Sequence, residues 1–171
     1  MTNILASCFP ERFAGAVMFA GLPYAGASNA DQALKLMDGN LAFFENKSAK
    51  QALACALGSP VRVPVMIFHG AEDDRVKAVN AESIQKQWLA VNDLKDDGKL
   101  NSSIEWRKTD QCSEDGQVCS REHREGDRLL IRLVTVKGLG HAWSGSRGLL
   151  PYTDQAGPDA SLWAWEFFKG L

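Results

Sequence analysis

The sequence predicts an α/β fold in which helices cover both faces of a mostly parallel sheet. Apolar segments of strand length alternate along the chain with segments whose apolar residues recur at helical spacing. The clearest strand, residues 63–70, is apolar almost throughout, as expected of a strand that is buried on both faces. The 171 residues are 45% hydrophobic and 23% charged, which suffices for one domain with a substantial core. We therefore expect a single domain over residues 1–171.

The first half of the chain predicts three helices and a strand before that central strand. Apolar residues at helical spacing predict a helix at the start of the chain, and Pro10 ends it. The apolar run of residues 14–21 is stopped by glycine and proline, which predicts a buried strand. Amphipathic helices are predicted for residues 30–37 and 48–57.

The second half predicts a long helix, two further strands and a polar excursion between them. Residues 78–93 have the apolar spacing of a helix that buries one face. Two further strands are predicted within residues 102–110 and 128–138. The charged residues between these strands, including His123, predict a solvated loop.

The chain closes with a predicted helix within residues 157–171. Asp159 or Ser161 is suited to cap its first turn, because both side chains accept hydrogen bonds from backbone N–H groups. The helical spacing predicts a buried stripe formed by Leu162, Trp165 and Phe168.

Composition excludes several classes of function. The net charge of −2 provides no basic surface for nucleic acid and no polybasic membrane anchor. The longest apolar stretches are too short and too rich in glycine to span a bilayer. No histidines stand at metal-ligand spacing near the cysteines. We expect no metal, no cofactor, no nucleic-acid partner and no membrane partner.

The four cysteines allow two disulfides or none. Cys112 and Cys119 flank a polar, glycine-containing stretch that can bring both ends of a hairpin together, so we predict a disulfide between them. Cys8 and Cys55 lie in apolar helical segments, which fits either two buried thiols or a second disulfide. Disulfide formation favours an oxidising compartment.

Two loops that follow predicted strands carry an acid and a histidine. Asp73 comes shortly after the strand at residues 63–70, and His141 follows the last predicted strand. In parallel sheets, catalytic groups gather in the loops beyond the carboxyl ends of the strands. A carboxylate that orients an imidazole is one half of a serine-hydrolase triad, in which the acid precedes the histidine. Asp74 is an alternative acid, and a histidine after glycine is also common as a turn residue that makes a local hydrogen bond.

Two neighbouring side chains have less specific assignments. His69, at the end of its strand, is predicted to be a hydrogen-bonded structural residue. Trp143, two residues after His141, fits either a wall of the substrate cleft or an aromatic residue of the core.

The sequence resembles the esterases grouped with polyhydroxybutyrate depolymerases, which include feruloyl and acetylxylan esterases. The matching stretches are MTNILASCFPERFAGAVMFAGLPYAGA, VPVMIFHGAEDDRVKAVNAESIQKQW, VKGLGHAWSG and GPDASLWAWEFF, in the order of the family. The resemblance implies an α/β-hydrolase fold with Asp73 as the acid and His141 as the base. It also implies hydrolysis of carboxylic esters through an acyl-enzyme, without a cofactor. The candidate substrates are polyhydroxyalkanoates and the feruloyl or acetyl esters of plant cell walls, and the expected location is secreted or periplasmic.

One departure from the family concerns the nucleophile. In the family, the helix that residues 1–13 resemble directly follows the elbow Gly-x-Ser-x-Gly, and no such motif occurs among the 171 residues. Cys8 is not a substitute, because it lies within a helix rather than at a strand-to-helix turn. The resemblance therefore implies that the chain is the C-terminal part of the domain and that it does not include the N-terminal strands and the elbow. It also implies that the chain is inactive by itself. The alternative is a non-catalytic remnant or binding module that retains the fold.

Overall fold

The computed structural model, which describes residues 1–146 and 150–171, has a central five-stranded sheet. Its strands are β1 (Ala16–Phe19), β2 (Val65–Gly70), β3 (Trp106–Cys112), β4 (Val118–Glu125) and β5 (Arg128–Val136). Their order across the sheet is β1-β2-β5-β4-β3. β1, β2 and β5 are parallel neighbours, whereas β4 runs antiparallel to both β5 and β3. Four of the five strands thus share one direction, and this mostly parallel sheet is compatible with an α/β-hydrolase-like fold.

Helices cover both faces of the sheet. They are α1 (Thr2–Cys8), α2 (Ala30–Met37), α3 (Glu45–Cys55), α4 (Val79–Asp97) and α5 (Ala160–Lys169). Side chains of α1, α3 and α4 share one apolar cluster with the sheet, and those of α5 share a second cluster with its other face. A short parallel pair, β6 (Trp143–Ser144) and β7 (Thr153–Asp154), precedes α5. No helix in the described ranges is both long and apolar enough to cross a membrane.

β2 illustrates why the sheet requires helices on both sides. All six of its residues are buried. Val65 and Ile67 pack in the cluster that contains Trp88 of α4, whereas Met66 and Phe68 pack in the cluster of α5. Successive strand side chains point to opposite faces, so a strand that is apolar throughout is stable only between two layers. Burial of each of these large side chains contributes about 1.5–3 kcal/mol.

The buried stripe predicted for α5 is wrong. Leu162, Trp165 and Phe168 are exposed. The helix instead packs on the sheet through Ala160, Trp163, Ala164 and Phe167. The predicted cap at Asp159 is present, since its Oδ1 accepts a hydrogen bond from the N–H of Leu162 at 2.9 Å.

The prediction of a solvated loop for the charged residues of this excursion is also wrong, because residues 118–125 form β4. Charged side chains of β4 are paired across the strands: Arg121 lies 2.8 Å from Asp110 on β3, and Glu122 lies 2.6 Å from Arg132 on β5. His123 is buried rather than solvated, with its ring edge-on to Trp106 at a centroid distance of 5.8 Å. Cross-strand ion pairs of this kind add to the stability of antiparallel strand pairs.

The two edges of the sheet differ in chemistry. β3 forms one edge and carries charged, exposed side chains, among them Arg107, Lys108 and Asp110. β1 forms the other edge, and all four of its residues are apolar. Charged residues discourage pairing of an edge with a further strand, whereas an apolar edge permits it.

All four cysteines form disulfides. Cys112 and Cys119 are directly opposite each other in the β3–β4 hairpin, with a Cα–Cα distance of 4.0 Å. Cys8 at the end of α1 is bonded to Cys55 at the end of α3, with a Cα–Cα distance of 4.8 Å, so these residues are not free thiols. The second bond ties together two helices on the same face of the sheet.

Candidate active site

The loops that follow β2 and β5 meet at one edge of the sheet. The two strands are parallel neighbours in register, with Gly70 opposite Val136 at their carboxyl ends. Asp73 lies three residues beyond β2, and His141 lies five residues beyond β5. The parallel arrangement therefore brings two residues that are far apart in sequence into one place.

Gly70 allows the two loops to approach closely. The N–H of Ala71 donates to the carbonyl of Val136 at 2.8 Å, and the N–H of Glu72 donates to the carbonyl of Leu139 at 3.1 Å. A Cβ atom on Gly70 would lie only 2.2 Å from the carbonyl oxygen of Leu139. Only glycine fits here without displacing the loop that carries the histidine.

Asp73 and His141 form a hydrogen-bonded pair. Oδ2 of Asp73 lies 2.8 Å from Nδ1 of His141. A carboxylate only accepts hydrogen bonds, so Nδ1 carries the proton and donates it. Nε2 of the neutral imidazole is then an acceptor. The Asp73 side chain is fully buried, while that of His141 is 33% exposed.

Backbone donors hold the carboxylate in place. Oδ1 of Asp73 accepts hydrogen bonds from the N–H groups of Arg75 at 2.9 Å and Val76 at 2.8 Å. Burial raises the pKa of the Asp73 carboxyl. The hydrogen bonds from Val76, His141 and Arg75 outweigh burial, so the pKa lies below its usual value. Asp73 is therefore ionised at neutral pH and fixes the tautomer of the imidazole.

The alternative acid is placed elsewhere. Asp74 is exposed, and its carboxylate lies 3.9 Å from Arg75. Its carboxylate does not bond to His141, whose only hydrogen bond in the described ranges is to Asp73. The geometry thus selects Asp73 of the two neighbouring carboxylates.

His69 is buried beside the pair but does not belong to it. Its Nδ1–H donates a hydrogen bond to the carbonyl oxygen of Gly70 at 2.9 Å. Its Nε2 has no hydrogen-bond partner in the described part of the chain. Burial lowers the pKa of this imidazole, which keeps it neutral. This placement agrees with a structural rather than a catalytic histidine.

Three stacked aromatic rings lead from the core to Trp143, two residues after His141. Phe68 stacks on Phe19 at a centroid distance of 4.8 Å, and Phe19 stacks on Trp143 at 4.6 Å. The indole N–H of Trp143 donates to Oγ of Ser161 at 3.2 Å, which fixes the ring. Trp143 is nevertheless 42% exposed, so its ring is partly at the surface as well as packed on Phe19.

Sequence patterns did not indicate Tyr152, which also borders the pair. Its ring lies edge-on to His141, with 6.0 Å between the centroids and 84° between the planes. The only signal in the sequence is its position after Pro151, at the third residue of a Leu-Pro-Tyr-Thr turn.

The pair can move a proton but does not include a nucleophile. No serine, threonine or cysteine bonds to Nε2 of His141 within residues 1–146 and 150–171. All four thiols are oxidised to disulfides. Across the same residues, no cluster of His, Cys, Asp and Glu side chains is arranged to hold a metal ion. The chemistry available is that of a general base oriented by a buried acid.

Comparison with known proteins finds a similar fold. No protein-family model and no curated protein sequence matches the chain. Among solved structures, acetyl xylan esterase from Aspergillus awamori aligns with a TM-score of 0.66 at 22% sequence identity. The alignment covers 99% of this chain and 55% of the esterase, so the chain spans about half the length of that protein. The likeness shows a shared fold.

Proposed function

We propose that this chain carries the acid and the base of a serine-type carboxylic ester hydrolase, of the kind represented by polyhydroxybutyrate depolymerases and feruloyl esterases. The observation that carries the proposal is the buried carboxylate of Asp73, 2.8 Å from Nδ1 of a partly exposed imidazole. In the described ranges Nε2 of His141 has no hydrogen-bond partner, so this partly exposed imidazole can accept a proton there.

The reaction follows from this protonation state. Nε2 of His141 takes the proton of a serine hydroxyl as its oxygen bonds to the ester carbonyl carbon. Asp73 stabilises the imidazolium that results. The imidazolium then protonates the leaving alkoxide as the ester C–O bond breaks, which yields an alcohol and an acyl-serine. A water molecule then gives a proton to the same Nε2 as its oxygen bonds to the acyl carbon. The bond between that carbon and the serine oxygen breaks, the imidazolium returns its proton to the serine oxygen, and the carboxylic acid leaves.

The serine is proposed to come from polypeptide outside these 171 residues that pairs with β1. β1 is an apolar outer strand whose free edge lies on the side of the sheet away from β2. Apolar side chains that flank this edge are exposed: Phe168 and Leu171 lie against Gly15, the residue before β1. An apolar edge with apolar flanks suits a further strand of the same sheet. A turn at the carboxyl end of that strand would lie at the same sheet edge as His141.

The proposed substrates are esters of hydroxyalkanoates or of plant polysaccharides. The name of the acetyl xylan esterase favours the acetyl esters of a polysaccharide. Trp143 is a rigid, exposed aromatic ring two residues from the base, and it suits the apolar side of a substrate cleft. The two disulfides favour a secreted or periplasmic location.

A non-catalytic module that retains the hydrolase fold is the second candidate. The absence of Gly-x-Ser-x-Gly from the 171 residues favours it. The two candidates differ in what lies upstream: translation of the DNA 5′ of Met1 either contains an in-frame Gly-x-Ser-x-Gly after a strand or does not.

The decisive experiment tests the protein that contains any such upstream segment. We expect hydrolysis of p-nitrophenyl acetate, loss of that hydrolysis in His141→Ala, and labelling of the elbow serine by an organophosphate. Asp74→Asn is the matched control, because its exposed carboxylate does not bond to the imidazole. An extended protein that folds and hydrolyses no ester, or one in which His141→Ala is fully active, would refute the proposed function.

A further inference from the structure

We propose that Tyr152 is a positioning residue that fixes the plane of the His141 imidazole. The inference rests on the proposed function of His141 as a base. It starts from an unusual backbone conformation and from one ring contact. Tyr152 has a φ of +60°, in the left-handed region that bulky residues rarely adopt.

The turn that contains Tyr152 has a backbone conformation that favours glycine at this position. The N–H of Thr153 donates to the carbonyl of Leu150 at 3.3 Å, and Pro151 and Tyr152 occupy the two central positions. Turns with proline first and a positive φ second normally have glycine or asparagine at the second position. A tyrosine here is unfavourable for the backbone, so its side chain must supply a compensating role.

Core packing does not supply that role. Tyr152 is 66% exposed, so its ring buries little apolar surface. The backbone of the residue is nevertheless fixed, because its carbonyl accepts the N–H of Trp143 at 2.8 Å. The ring is thereby held against the imidazole of His141, edge-on at a centroid distance of 6.0 Å.

The imidazole needs a second restraint besides Asp73. The hydrogen bond from Nδ1 to Oδ2 of Asp73 fixes one point of the ring, and the torsion about Cβ–Cγ of histidine has a broad energy minimum. Rotation about that point moves Nε2 away from its acceptor direction. Contact with the Tyr152 ring restricts this rotation, so the imidazole keeps one orientation, with Nε2 directed to the surface where substrate would bind.

NMR spectroscopy of the chain tests the restraint directly. The chain has three histidines, and His141→Ala identifies the His141 ring signals. We expect nuclear Overhauser contacts between the two rings and a single His141 ring conformation in the wild type and in Tyr152→Phe. Tyr152→Gly should show an averaged His141 ring, although its melting temperature should be unchanged or higher because glycine suits the turn. An unchanged His141 ring in Tyr152→Gly would overturn the proposal.

Kinetics of an active form distinguish positioning from substrate contact. Tyr152→Gly should lower kcat by up to about 10²-fold with little change in KM, as expected of a misplaced base. Tyr152→Phe should retain activity, since it keeps the ring. A rise in KM with kcat unchanged would overturn positioning in favour of a substrate contact. If hydrolysis does not depend on His141 at all, the proposed function fails, while the NMR comparison still decides whether Tyr152 orients the ring.

Discussion

Replacement of Gly70 by alanine should separate the two loops that hold the acid and the base. The added Cβ would lie 2.2 Å from the carbonyl oxygen of Leu139 and 2.7 Å from that of Gly140. Both atoms belong to the backbone, so no side-chain rotation relieves the clash. The shorter distance is about 1.2 Å less than the 3.4 Å at which ordinary contact begins, and the His141 loop must move by a similar amount.

The magnitude follows from the contacts that this movement disturbs. Overpacking of a well-packed site costs about 1–3 kcal/mol. The hydrogen bond from the N–H of Glu72 to Leu139 joins the same two loops, and its loss costs about 1 kcal/mol. Alanine recovers about 0.4–1 kcal/mol by restricting the unfolded chain. We therefore expect Gly70→Ala to lower the free energy of unfolding by about 1–3.6 kcal/mol.

Gly140→Ala is the matched control from the same site. Apart from its chain neighbours, no heavy atom of residues 1–146 and 150–171 lies within 4 Å of a Cβ atom on Gly140, and the φ of Gly140 lies outside the left-handed region. This variant should be neutral or more stable by about 0.4–1 kcal/mol. Urea unfolding followed by tryptophan fluorescence measures both variants, and the midpoints compare them if the slopes agree. Equal midpoints for Gly70→Ala and Gly140→Ala would refute the argument that close loop approach requires glycine at position 70.

Three further predictions concern the carboxylate and the disulfides. In an active form, Asp73→Asn should reduce kcat by about 10⁴-fold, because the amide favours the wrong imidazole tautomer, whereas Asp74→Asn should leave kcat unchanged. Since its pKa is lowered, Asp73 contributes stability above the usual value of 3.8, and this contribution is lost as the pH falls through the lower folded-state pKa. The difference in free energy of unfolding between wild type and Asp73→Asn, measured by urea unfolding, should therefore shrink in acid. A difference that grows in acid would contradict a lowered pKa of Asp73. Replacing both Cys8 and Cys55 by serine should lower the free energy of unfolding by about 4 kcal/mol, and replacing both Cys112 and Cys119 by serine should lower it by about 2.5 kcal/mol. The first loss is larger because that disulfide closes a loop of 47 positions, against 7 for the hairpin disulfide. Thermal unfolding without reductant shows which of the two double-serine variants is less stable.

The juxtaposition of Asp73 and His141 follows from the sequence because parallel strands impose it. Each residue comes shortly after an apolar strand, and adjacent parallel strands end at the same edge. The sequence does not reveal which of two adjacent carboxylates faces the imidazole from spacing alone. That choice depends on the turn in which the N–H groups of Arg75 and Val76 bind Oδ1 of Asp73.

β4 and the orientation of α5 could not be predicted from periodicity. β4 has charged residues on both faces, and these are stabilised by partners on β3 and β5 that are invisible in a local pattern. α5 has apolar residues on every face, so more than one stripe has helical spacing. The stripe that is buried, with Ala160 and Phe167, is chosen by contact with the sheet. The role proposed for Tyr152 could not be predicted from the sequence, because it depends on a backbone angle rather than on a residue pattern.

Because the two edges of the five-stranded sheet differ in chemistry, this sheet can pair with a further strand at one edge but not at the other. A sheet polymerises into a fibril only if each copy can accept a neighbour on both sides. Here the edge at β3 presents Arg107, Lys108 and Asp110, whereas the edge at β1 is apolar. Among the described strands, pairing through β1 therefore uses the receptive edge of the five-stranded sheet, and growth ends after a single addition. Charges on a distant hairpin thus limit how far association at the opposite edge can proceed.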